Sequence, residues 1–406
     1  MTSPHISLAI DNCFAAKRWC EPAEWMRVVR DLGLQCVEAS ADNEIDPLYS
    51  VPGHLDDWLA DVRRESDRTG VRVVNCYSGH GTYATLGLGH HDPRVRAHIR
   101  DAWVRPMLHL AGRLGAGLGF FAHAFSEAVL RDPNRYRAAY EALVADLRDL
   151  AADAREAGTS SFGIEQMYTP HQVPWTLAGA EAFLRDLNAG GSGTPSAYLT
   201  IDTGHACGQA RFLPPTDEAV ARFVEDARAG RADTLYLGPV ECHAPIRRLA
   251  ASGAASADVR AAIDALCVSH PHLFAAPGDG DPYRWLERFG AWSPIVHLQQ
   301  TNGHESGHRN FTAEHNARGV IHPPDVIRAL AASFSAPAPA GLPPPANHIY
   351  LTLEPFLPTA AHARAELEAV AESVVYWRRH VPRDGMALAE VLAASPARGG
   401  AILRAP

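Results

Sequence analysis

Asp202 and His205 stand three residues apart in LTIDTGHACG (199–208), an acid and an imidazole where a mostly apolar run gives way to a turn. Asp-Thr-Gly is also the active triplet of aspartic proteases, but that chemistry needs two aspartates sharing a proton. The chain has no second Asp-(Ser/Thr)-Gly, so Asp202 must serve another purpose. Polar residues interrupt other apolar runs in the same way: Glu165 in GIEQ, His297 and Gln299 in IVHLQQ, Glu354 in TLEP, and earlier Asp11 with Asn12, Glu38, Asn75 and His123. A charge inside a buried strand needs a counter-charge or a metal, and the runs carry no matching number of cations. The reading that follows is one divalent ion held by Glu165, Asp202, His297 and Glu354. Hard oxygen ligands with a single imidazole favour Mn²⁺ or Mg²⁺, with Co²⁺ and Zn²⁺ as alternatives. The competing reading is a set of core charges neutralised by arginines folded inward.

The elements that must position these groups are eight apolar, β-branched runs, at 6–12, 35–40, 71–78, 118–125, 161–168, 197–205, 294–303 and 348–356. Helical patterns separate them. The segment 21–34 has proline in its first turn and glycine near its end, and 91–116, 133–158 and 359–381 carry apolar residues at three- and four-residue spacing. Strand–helix alternation repeated eight times predicts an α/β (β/α)₈ barrel with its site at the C-terminal strand ends. Parallel barrel strands are covered on both faces, so the embedded acids cannot simply be solvated. No G-x-G-x-x-G follows the first strand, which argues against a doubly wound sheet. The chain reads as one domain over 1–406, with an insertion of about 231–290 between strands six and seven and a proline-rich loop at 334–347. Within the insertion, Glu241, Cys242 and His243 lack a second cysteine pair for structural zinc, and a lid over the site is the expectation.

In order and spacing, GIEQ, TIDTGH, IVHLQQ and TLEP resemble the strand-end pattern of the xylose-isomerase-like barrels, the sugar phosphate isomerase/epimerase family. The resemblance implies that Glu165, Asp202, His297 and Glu354 are metal ligands, that Glu165 and Glu354 also move protons, and that His205 hydrogen-bonds substrate oxygens. It further implies that Arg309, beyond the seventh strand, contacts substrate. The stretch YATLGLGHHDPRVR (83–96) looks like tetrulose-phosphate isomerases or epimerases. Such enzymes act on a small ketose or ketose phosphate: a metal polarises the carbonyl, the neighbouring carbon loses a proton, and one of two carboxylates returns it. Epimerisation and aldose–ketose isomerisation both remain open at this point. Gln299, His80 and His123 join the expected substrate contacts, and His308 is a further candidate. Lys17 is the only lysine of the chain; with Arg18 and the Gly-flanked SGHGTY (78–83) it offers an anion site for a phosphate.

Two other enzyme classes use related scaffolds. A sugar-acid decarboxylase or dehydratase would use the same metal–enolate scheme. An endonuclease IV-like nuclease would recruit His80, His123, Glu165, Asp202, His205, His297 and Glu354, yet HLQQTNGHESGH (297–308) lacks the aspartate that family places after strand seven. A net charge of −9 also disfavours nucleic acid or an anionic membrane as partner. No apolar stretch approaches 18 residues, MTSPHISLAI lacks the features of a signal peptide, and seven scattered cysteines without C-x-x-C read as reduced thiols. A cytoplasmic enzyme of small molecules is expected. Barrels of this type commonly form homo-oligomers, although no pattern in this chain specifies one.

Overall fold

The computed structural model describes residues 3–78, 87–189, 196–358 and 360–395. Eight parallel strands close into a barrel: β1 (His5–Asp11), β2 (Cys36–Ser40), β3 (Arg72–Ser78), β4 (Gly117–Phe120), β5 (Phe162–Glu165), β6 (Ala197–Asp202), β7 (Ile295–Leu298) and β8 (His348–Leu353). Each pairs with the next in sequence, and β1 pairs with both β2 and β8 to complete the ring. A short β9 (Met386–Ala387) adds antiparallel to the start of β1 outside the ring.

The two-residue period of the strands sorts their side chains. On β6, Leu199 and Ile201 join the hydrophobic core under the helices, while Thr200 and Asp202 alternate with them. The same alternation separates Val296 and Leu298 from His297 on β7, and Ile164 from Glu165 on β5. Register then brings the polar set together. Asp202 pairs with His297, His297 with Thr352, and Asp11 with Glu38, so neighbouring strands deliver their polar ends at one level.

The helices are started by local signals. Asp132 accepts from the backbone N–H of Asn134 at 2.9 Å, Pro133 takes the first helical position, and the helix Pro133–Ala157 ends at Gly158 with φ +76°. Its buried face is Leu143, Val144, Leu147, Leu150, Ala151 and Ala154. Truncating one of its leucines, such as Leu147→Ala, would cost about 2–5 kcal/mol. Between β6 and β7 lie four α-helices, Asp217–Arg228, Val240–Ala251, Ser256–Ser269 and Pro282–Phe289. This excursion docks on the β4 side: Glu241 pairs with Arg131, His272 Nε2 donates to the Leu130 carbonyl at 2.7 Å, and the His272 ring stacks on Tyr136. The proline-rich stretch after the helix Pro323–Ser335 is pinned from the opposite end of the barrel, where Trp292 Nε1 donates to the Pro343 carbonyl at 2.7 Å. Among the described residues, no helix is long and apolar enough to cross a membrane.

Candidate active site and metal centre

At the C-terminal end of the barrel, Glu165, Asp202, His297 and Glu354 each present a ligand atom within 4.8 Å of the others. All four are buried, none above 2% exposure. His297 sits in the middle. Its Nδ1 lies 3.1 Å from Glu165 Oε1 and 3.6 Å from Glu354 Oε2, and its Nε2 lies 3.0 Å from Glu38 Oε2. Glu38 is in turn held by Asn75, whose Nδ2 donates to Oε1 at 2.6 Å. Tyr77 donates its hydroxyl to the outer oxygen of Glu165.

Asp202 owes its orientation to the turn that follows it. Its Oδ1 accepts from the backbone N–H of Gly204 at 2.6 Å and of His205 at 3.1 Å, while Gln299 Nε2 lies 2.8 Å from both carboxylate oxygens. Gly204 is required for that approach, since a Cβ there would stand 2.2 Å from the Gln299 carboxamide carbon. His205 donates from Nδ1 to the Gln166 carbonyl at 2.9 Å, leaving Nε2 3.6 Å from Asp202 Oδ2. His308 places Nδ1 3.3 Å from Glu354 Oε2 and forms a second close group with Asp202 and His205.

Electrostatics show what the cluster lacks. Glu354 is pushed well above the usual carboxylate range by burial, with His297 opposing and the charges of Asp202, Glu165 and Asp11 adding to the rise. Asp11, also buried, is pushed up to about 8 by burial and by Glu38. Burial pushes His297 down, but the Glu354 and Glu38 charges and the hydrogen bonds it donates to Glu165 and Glu38 carry it well above its ordinary value. For Asp202 burial raises the pKa, and the imidazoles of His205, His308 and His297 outweigh it and hold it low. Glu354 Oε2 is buried without a hydrogen bond among the described residues. Crowded acids and an orphaned carboxylate oxygen fit a divalent cation, which would supply a balancing charge. Glu165, Asp202, His297 and Glu354 would hold it; His297 would offer Nδ1, because Nε2 is committed to Glu38.

The model of the xylose isomerase-like TIM barrel family matches residues 26–237. The chain belongs to this family. It is 24% identical over 379 residues to the D-erythrulose 1-phosphate 3-epimerase of Brucella abortus (strain 2308), covering 93% of this chain and 96% of that protein. Among solved structures, it is similar to a putative xylose isomerase from Rhodospirillum rubrum, with a TM-score of 0.62 at 19% identity over 92% of this chain and 98% of that one. It is also similar to an L-ribulose 3-epimerase, with a TM-score of 0.52 at 15% identity over 96% of this chain and 95% of that one. These structures share the barrel.

Within this family member, the other residues singled out from sequence take varied places. Gln299 is buried and occupied with Asp202, Ser306 and His308. His123 lies three residues beyond β4 with φ +64°, its Nδ1 accepting from the Leu88 N–H at 3.2 Å and its Nε2 buried without a hydrogen bond among the described residues. Burial pushes it down to about 4, so it is neutral and Nε2 carries the proton. Arg309 pairs with Glu305 on the loop after β7 and is partly exposed. Lys17 is exposed in a left-handed conformation, φ +66°, after β1; Arg18 beside it donates to the Pro358 and Ala361 carbonyls at 3.0 and 3.1 Å. His80 lies outside the described residues, as do residues 79–83 of the proposed phosphate loop. Sequence reasoning left Glu38, Tyr77 and Asp11 out of the site. Asp11 and Glu38 are visible as strand-end acids, whereas Tyr77 carries no signal that separates it from a core aromatic.

Proposed function

We propose that the chain is a divalent-metal-dependent isomerase or epimerase of a small ketose or ketose phosphate, with Mn²⁺ or Mg²⁺ as the ion. The observation that carries this is the convergence of Glu165 from β5 and Glu354 from the end of β8 on one buried cluster with Asp202 and His297. Bound there, the ion would polarise the ketose carbonyl and take up the charge that develops on its oxygen. Glu165 and Glu354 approach from strands three apart in the ring of eight, an arrangement suited to removing a proton from one face of a carbon and returning one from the other. Tyr77 and His297 hold Glu165 through both its oxygens. His205, anchored at Nδ1, turns Nε2 to a substrate oxygen. Similarity to a D-erythrulose 1-phosphate 3-epimerase along 93% of the chain favours epimerisation and a phosphorylated tetrulose. Seven free cysteines fit the reducing cytoplasm.

The test is solvent-deuterium uptake. D-Erythrulose 1-phosphate, its free sugar, and pentuloses and hexuloses are incubated in D₂O with metal-loaded protein. Deuterium entering the carbon next to the carbonyl, abolished in Glu165→Gln, is the expected result. No exchange into any ketose or ketose phosphate would overturn the proposal.

A further inference from the structure

The opposite end of the barrel holds a cavity of about 930 Å³. Strand starts form it: Arg72 of β3, Tyr198 of β6, Ile295 of β7, and His348 with Tyr350 of β8. Pro344 and Pro345 of the proline-rich stretch close one side, fixed by a hydrogen bond from the Tyr198 hydroxyl to the Pro344 carbonyl at 3.2 Å. Inside the barrel above it, Ala9 and Cys36 are fully buried and packed with Val74 and Tyr350. Gly163 presses on Thr200, where an added Cβ would stand 2.9 Å from the hydroxyl oxygen. Four residue steps along β6 separate Tyr198 from Asp202, roughly 13 Å at the rise of a strand. The cavity is therefore distinct from the acidic site.

Its chemistry is the reverse of that site. Three arginines, Arg63, Arg72 and Arg113, line it against one acid, Asp67, in a chain of net charge −9. Arg113 is paired with Asp56, but Arg72 makes no ion pair among the described residues. Flat rings stand beside it. His348 stacks on Tyr350 at 4.3 Å and 14°, and burial, then the charges of His5 and Arg72, push the imidazole down to about 4, so it stays neutral. A volume near 930 Å³ exceeds what an inorganic ion fills and lies in the range of organic-ligand pockets. Guanidinium groups suit phosphate, and ring faces suit a planar heterocycle. We infer that this cavity is a second binding site, for a phosphorylated ligand bearing a flat ring, of mononucleotide size.

The inference is independent of the proposed ketose chemistry. Calorimetric titration of the metal-loaded full-length protein with AMP, adenosine and inorganic phosphate tests it. Saturable one-to-one binding of AMP is expected, tighter than either half alone and unaffected by saturating D-erythrulose 1-phosphate. Arg72→Gln should weaken AMP by at least about tenfold, the loss of one charge-assisted contact, while leaving ketose deuterium exchange at the native rate. Arg63→Gln, also at an exposed position, gives a second variant should the first lose its native melt. Absence of AMP binding, native affinity retained in both variants, or displacement of AMP by the ketose phosphate would each overturn the inference.

Discussion

At the C-terminal ends of the strands, Asp11, Glu38, Glu165, Asp202 and Glu354 are all buried to 2% exposure or less, whereas at the N-terminal ends Arg63, Arg72 and Arg113 stand exposed around an open cavity. The same strands build both ends, yet the energetic standing of the charges differs. Exposed guanidinium groups keep their water and cost the fold little. Five acids taken out of water near one another cost several kcal/mol each unless something neutralises them, and among the described residues three imidazoles, His205, His297 and His308, stand beside them. Charge retained at such expense has a purpose other than stability. The acidic end is therefore a centre whose fold and ion should be interdependent, while the arginine end should be separable from the fold.

Glu354→Gln gives the sharpest test of that contrast. Removing one partner of the proposed proton-transferring pair should lower ketose deuterium exchange by about 10²–10⁴-fold, while Arg72→Gln changes it by nothing measurable; equal losses from both would erase the distinction between the ends. Next comes Glu38→Gln. Glu38 touches His297 Nε2 at 3.0 Å on the side away from Glu165 and Glu354, the place of a carboxylate that orients a ligating histidine. Metal affinity, measured by competition with a chromogenic chelator, should fall by about 10–100-fold; unchanged affinity would show that His297 does not bind the ion through the opposite nitrogen. Tyr77→Phe should be milder. It deletes the hydroxyl that donates to Glu165, and kcat/KM for the exchanging ketose should drop by about tenfold with metal affinity retained. A loss of metal instead would make Tyr77 part of the ion's support.

The strands were legible because parallel barrel strands bury both faces and so read as largely apolar runs; each of the eight was anticipated, with differences only at the ends. The acids were legible for the same reason: inside such a run a carboxylate is conspicuous. β9 was not anticipated, since two residues, Met386 and Ala387, carry no pattern. Contacts made by barrel closure were also hidden. Glu38 meets His297 across 259 residues, and Glu165 meets Tyr77 across 88; neither pairing follows from spacing, because register between distant strands decides it. Gln299 was legible as polar at a strand end, but its occupation by Asp202 comes from the close turn at Gly204. The arginine cavity escaped notice because its lining is scattered over the starts of several strands, where one charged residue at a time looks like ordinary surface.

The smallest expected effect, a few degrees in Tm, probes the dependence of the acidic end on its ion. Asp11, normally near 3.8, is pushed up to about 8 by burial first and the Glu38 charge second. Burial also raises Glu354, and the surrounding acids raise His297 in spite of burial. A group with a raised folded pKa binds its proton more tightly folded than unfolded. Its contribution is complete below the unfolded value and is lost as pH rises through the folded one. All three groups therefore act in one direction, and chelator-treated protein should lose stability steadily between about pH 4 and 8, the unfolded and folded values of Asp11. Asp202, held low, has the opposite sign, but its window lies below about pH 4, the unfolded aspartate value. With Mn²⁺ bound the protons have already been displaced and the cation balances the acids, so the melt should be higher and its fall with pH shallower. Each kcal/mol moves Tm by on the order of 1–2 °C in a chain of this length, within reach of paired calorimetric scans with and without chelator. Parallel pH profiles in the two states would mean that the buried acids are neutralised by one another and their imidazoles, and that the acidic end, like the arginine end, stands without an ion.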